Sequence, residues 1–166
     1  MPNLDWGHVW RLARIQGITN EARTFWFRLL NNLLNRILPS VTSNLCMLCN
    51  QQAEDDIRLH TFTKCTQSNE AMSWLVSVIS LMDPNITPEK IISLQIEPTN
   101  ETNELACVWL ISESLQYIWA KRKMKAAIDI QDFVSKMQAK CYYLSKSKFS
   151  QHATNFLALI ETVQNP

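Results

Sequence analysis

Apolar residues along this chain recur at steps of three and four, and nowhere is there a sustained strict alternation of strand length. The pattern predicts an almost wholly helical protein. A first helix near 5–15 places Trp6, Val9, Trp10 and Ala13 on one face before Gly17 stops it. A second starts after Thr19 and runs over 21–38, with Trp26, Leu29, Leu30, Leu33 and Ile37 as its buried stripe. Pro39 and the polar SVTSN stretch close it and lead into a polar loop. Ser68 is a candidate N-cap for a helix carrying Trp74, Val78 and Leu81 as far as Asp83-Pro84. Thr87-Pro88-Glu89 opens a short helix, with proline at the first helical position and an acid near the positive end of the dipole.

Beyond the polar EPTNETN break lies the longest helix, about 103–127, which combines Leu105, Val108, Trp109, Leu115 and Trp119 with the basic end KRKMK. Asp129 caps a further helix whose stripe is Ile130, Phe133, Val134, Met137, Cys141 and Leu144. A last helix is expected near 149–163 around Phe149, Phe156, Leu157, Ile160 and Val163. The fold class this gives is all-α. Residues 1–44 form N-terminal helices, 45–66 an inserted loop and 67–166 a helical bundle, all parts of one domain.

Composition narrows the chemistry. The 166 residues contain only two glycines, so glycine-rich phosphate loops and Rossmann turns are excluded. No apolar run approaches the roughly 18 residues of a membrane span, and the segment MPNLDWGHVW lacks the layout of a signal peptide. An intracellular location, cytoplasmic or nuclear, and no membrane partner are therefore expected, with reduced thiols. Net charge is only +1, but it is unevenly distributed: acids dominate 50–104 and bases dominate 115–150.

The five cysteines divide by setting. Cys107 and Cys141 lie on apolar helical backgrounds and read as small core residues. Cys46, Cys49 and Cys65 share the polar loop with His60, in the spacing Cys-x2-Cys-x10-His-x4-Cys. That set matches the Cys3His ligands of closed structural zinc sites, so Zn2+ is the expected cofactor. Redox use of the CxxC pair lacks the βαβ setting such motifs need, and a Cys–His catalytic pair lacks an orienting third residue and an oxyanion loop. Four protein ligands leave no position for a reactive water, so no enzymatic activity is expected. His8 and His152 lie in helices and are not taken as ligands.

The order Trp6…Trp10, RTFWFRLLNNLL, CMLC, Asp56, His60-x-Phe62-x-x-Cys65 and Trp74 resembles the zinc-binding domain that follows the polymerase in non-LTR (LINE-type) retrotransposon reverse transcriptases. Ile118-Trp119-Ala120-Lys121-Arg122 is similar to the helix that commonly follows it. Asp56-Ile57 stands where that family usually has Glu-Thr, and Thr61 where it usually has Leu. Asp55-Asp56 does not resemble polymerase aspartates. The resemblance implies a non-catalytic module, detached from its polymerase, that engages RNA or DNA. Lys121, Arg122, Lys123 and Lys125 are the candidate phosphate contacts, with Lys136, Lys140, Lys146, Lys148, Arg23, Arg28 and Arg36 as candidate extensions. The same basic helix end reads equally well as a solvated, dipole-matched terminus. A second reading is a zinc-stapled protein–protein module, binding a polymerase domain or another chain, or a decayed element without nucleic-acid binding.

Overall fold

In a computed structural model the protein is described over residues 5–15, 18–34, 45–51, 57–98 and 101–145. The helix expected at 149–163 lies outside these residues. So do Gly17, Arg36, Pro39 and the SVTSN stretch, Asp55, Asp56, Lys146, Lys148 and His152. Among these described residues seven α-helices follow in order: α1 (Trp6–Ala13), α2 (Asn20–Leu30), α3 (Ile57–Leu59), α4 (Asn69–Ser80), α5 (Pro88–Ser93), α6 (Glu101–Met124) and α7 (Ile130–Ser145). A π-helical turn, His60–Lys64, continues α3. No strand occurs among the described residues, and no described helix is long and apolar enough to cross a membrane.

α6 is the axis of the molecule. It packs against α1, α2, α4, α7 and the π turn, and it is buried on almost every side through Cys107, Val108, Leu110, Ile111, Leu115 and Ile118. A helix apolar all round can be stable only inside a core. The polar groups this buries are satisfied locally: the Ser112 hydroxyl donates to Val108 O (2.6 Å) and accepts from the Trp26 indole N–H (2.6 Å). At the solvent edge Arg11 of α1 grips Glu104 of α6 with two bonds, 2.6 and 2.9 Å, and holds that carboxyl below the usual carboxylate range.

Helix starts follow their caps. Asp5, Thr19, Thr87 and Asp129 accept from the backbone N–H groups of His8, Ala22, Lys90 and Asp132. Helix ends are less ordinary. α2 ends at Leu30, eight residues before the periodicity predicts, because Asn32 adopts φ 55° and the chain closes with Leu33 N–H to Arg28 O (2.7 Å) and Asn32 N–H to Leu29 O (3.2 Å). This is a Schellman closure. The same pair of bonds ends α5 at Leu94 (φ 57°) and α6 at Lys125 (φ 53°). Glycine normally takes that left-handed position; in a chain with two glycines, Asn, Leu and Lys hold it instead.

Trp26, Trp109 and Trp119 are buried as their periodicity implies, and Trp74 packs edge-on against Phe133 (5.4 Å). Trp6, expected on the core face, is 46% exposed. It stacks on Trp10 (6.2 Å), which meets the exposed Phe27 (6.1 Å), so the first helix turns an aromatic edge outward. Cys107 and Cys141 are fully buried, and burial pushes both thiols up to about 12.

Candidate metal centre

Cys46 and Cys49 sit on a tight knuckle. Cys46 N–H donates to Gln51 O (2.8 Å) and Asn50 N–H to Cys46 O (2.9 Å). Asn50 adopts φ 57° at the reversal, a conformation asparagine tolerates better than most residues. The turn folds the backbone N–H groups of Leu48 and Cys49 back toward the Cys46 sulfur. Such bonds favour thiolate.

The other two candidate ligands come from the π turn. In an α-helix, positions five apart are separated by about 140° around the axis beyond a full turn, which would aim His60 and Cys65 in different directions. Here Cys65 N–H bonds to His60 O (2.7 Å), the i→i+5 link of a π-helix. The wider turn, followed by the extended backbone of Cys65 (φ −72°, ψ 123°), brings both side chains to one side. Ser68 completes the turn, donating its hydroxyl to Thr61 O (2.5 Å) and Cys65 O (3.3 Å) rather than capping α4 with its side chain. Arg58 anchors the segment to α2 through Leu29 O (2.8 Å).

The result brings Cys46, Cys49, His60 and Cys65 together, with their ligand atoms all within 4.8 Å of one another. Cys46 Sγ lies 3.8 Å from Cys65 Sγ, and Cys49 Sγ lies 3.3 Å from His60 Nε2. Thiolates bonded at about 2.3 Å to one tetrahedral ion stand about 3.8 Å apart, and a thiolate and an imidazole about 3.5 Å. A disulfide would need about 2.05 Å. Cys46, His60 and Cys65 are buried, while Cys49 is half-buried.

Electrostatics fits the same group. Burial opposes ionisation of Cys46, but the N–H groups of Cys49 and Leu48 carry its thiol below the usual value. Burial, together with the neighbouring Cys46, pushes Cys65 up to about 12 even though the Gln67 N–H donates to it. Two sulfurs this close resist joint ionisation unless a cation lies between them. The donor set therefore suits a metal ion.

The basic residues fare differently from one another. Lys123 and Lys125 are exposed at the end of α6. Lys121 is drawn toward Asp132 (3.5 Å) and lies over the Tyr117 ring (5.3 Å). Arg122 is 1% exposed, so the expectation that it contacts phosphate is corrected: its guanidinium lies within the protein. Periodicity held the signal, since Leu115, Ile118 and Arg122 follow one another at three- and four-residue steps along α6. Lys136 pairs with Asp132 (3.1 Å) and Lys140 with Glu113. Arg23 and Arg28 are exposed on α2. His8 meets Ile96 O (3.2 Å) and stands apart from the cysteines. No protein-family model, no curated protein and no solved structure matches the chain.

Proposed function

We propose that the chain is a non-catalytic helical module organised by Zn2+ held on Cys46, Cys49, His60 and Cys65, and that it engages RNA or DNA. The observation that carries the metal reading is the convergence of four side-chain ligand atoms within 4.8 Å. Three thiolates and an imidazole are the donors zinc favours over magnesium or calcium. Four protein ligands make the site structural: it stabilises the fold and offers no open position for substrate or water.

Nucleic-acid engagement rests on the resemblance of the residue pattern to reverse-transcriptase zinc-binding domains, and on the surface beside α6. A groove of about 760 Å³ runs between α2, α6 and α7, lined by Arg28, Lys123, Tyr117 and Phe25 together with Glu21 and the Lys140–Glu113 pair. Bases beside rings suit a strand with charged phosphates and stackable bases. The acidic centre of the sequence would repel phosphate, and the metal acts as scaffold. Titrating the protein with labelled structured RNA and single-stranded DNA at two salt concentrations tests this. Binding should weaken with salt, and Arg28→Gln with Lys123→Gln should flatten the salt dependence by about the number of phosphates no longer neutralised. Salt-independent binding, or none, overturns it. The second reading, a protein–protein module, is favoured by the exposed aromatic edge of Trp6 and Phe27. It requires that Trp6→Ala and Phe27→Ala weaken capture of a protein partner while nucleic acid fails to bind.

A further inference from the structure

Arg122 is among the largest fully buried side chains in the protein. Its guanidinium lies 4.5 Å over Trp119. Trp119 meets Phe62 at 6.3 Å, and Phe62 belongs to the π turn that carries His60 and leads into Cys65. Among the described residues, Nε and Nη1 have no hydrogen-bond partner. A guanidinium cannot escape burial by losing its proton, since it stays charged under all ordinary conditions. Stacking on a tryptophan offsets only part of the cost of burying the ion. The described carboxylates that form ion pairs are matched elsewhere, to Arg11, Lys121, Lys136 and Lys140. Cys46 and Cys65, once ionised, oppose the lowering of the Arg122 pKa by burial.

The geometry points to Arg122 as the counter-charge of the metal centre, a positioning residue that raises affinity for a divalent ion by offsetting the surplus negative charge of three thiolates. This deepens the zinc reading and rests on it. A divalent ion with three thiolates and a neutral imidazole carries one net negative charge by simple addition, and Arg122 brings one positive charge to the same buried region. With thiols protonated and no metal, that charge has no equal to offset it. Its burial therefore favours the thiolate-rich, metal-loaded state over the metal-free one, and links the end of α6 to ion binding.

The test measures Zn2+ affinity by competition with a chromophoric chelator for wild type, Arg122→Met and Arg122→Lys, and compares the thermal stability of the metal-free proteins. Arg122→Met should weaken Zn2+ about 10- to 100-fold, the range for groups that support metal ligands. Arg122→Lys, which keeps the charge, should recover most of that loss. Metal-free Arg122→Met should be at least as stable as metal-free wild type, because an uncompensated buried charge has gone. If Arg122 serves packing alone, the Met variant loses stability in both forms and keeps its Zn2+ affinity; that result overturns the proposal, as does a Lys variant no better than Met. Wild type that takes up no Zn2+ overturns the metal reading itself, whereas tight wild-type binding with an unchanged Met variant removes only the role of Arg122.

Discussion

Ser112→Ala isolates a buried polar link between α2 and α6. Trp26 is fully buried, and its indole N–H has one acceptor, Ser112 Oγ at 2.6 Å. Removing the hydroxyl leaves that donor unpaired in the core, at a cost of about 1–3 kcal/mol. The bond from Ser112 to Val108 O disappears too, but Val108 O keeps its place in the helix ladder, so little is added. Trp26→Phe leaves no orphaned donor, since the hydroxyl still reaches Val108 O; its cost is that of a smaller ring. In the Trp26→Phe background, Ser112→Ala should therefore cost only about 0.5 kcal/mol, which gives a coupling of about 0.5–2.5 kcal/mol between the two positions. Urea unfolding of the four metal-loaded proteins, followed by far-UV circular dichroism, measures this cycle. Additive losses, or a single Ser112→Ala variant within about 0.5 kcal/mol of wild type, would refute the idea that this bond satisfies the buried indole.

Lys125 is exposed and holds φ 53° at the end of α6; Lys125→Gly should stabilise the protein by about 0.5–1 kcal/mol in the same assay, because relief of left-handed strain outweighs the added freedom of the unfolded chain. Hydrogen bonding to Arg11 depresses the pKa of Glu104 in the folded state. Its contribution is then present above the unfolded-state pKa and is lost as pH falls through the lower folded value, so melting curves of Glu104→Gln across the acid range should show a shallower loss than wild type. Thiol labelling with intact-mass detection should leave Cys107 and Cys141 unmodified in the folded protein. Cys46, Cys49 and Cys65 should become reactive once a chelator is added.

The convergence of Cys46, Cys49, His60 and Cys65 was legible because a shared metal site depends on residue type and short-range spacing, both visible in the sequence. The all-α class was legible for a similar reason, since the three- and four-residue periodicity persists through α4 and α7. The route by which His60 and Cys65 converge was not. An i→i+5 backbone bond leaves no distinct pattern in side-chain type. The early end of α2 was hidden beneath a periodic run, although Asn31-Asn32 interrupts it with two residues that tolerate turns. Arg122 was misplaced because a basic helix end usually faces water. Its burial depends on α6 being surrounded, which is a property of the whole fold. Trp6 erred in the opposite direction: its spacing from Val9 and Trp10 implied burial, but the packing of α1 leaves it at the rim.

The most direct test of the metal centre is a Co2+ titration of the metal-free protein followed by visible absorption. Saturation is expected at one ion per chain, with the intense d–d bands of four-coordinate cobalt and thiolate-to-cobalt charge transfer, all abolished by added Zn2+ and absent in Cys65→Ala. Weak bands typical of six-coordinate cobalt, or a signal that grows without saturating, would contradict a shared tetrahedral centre.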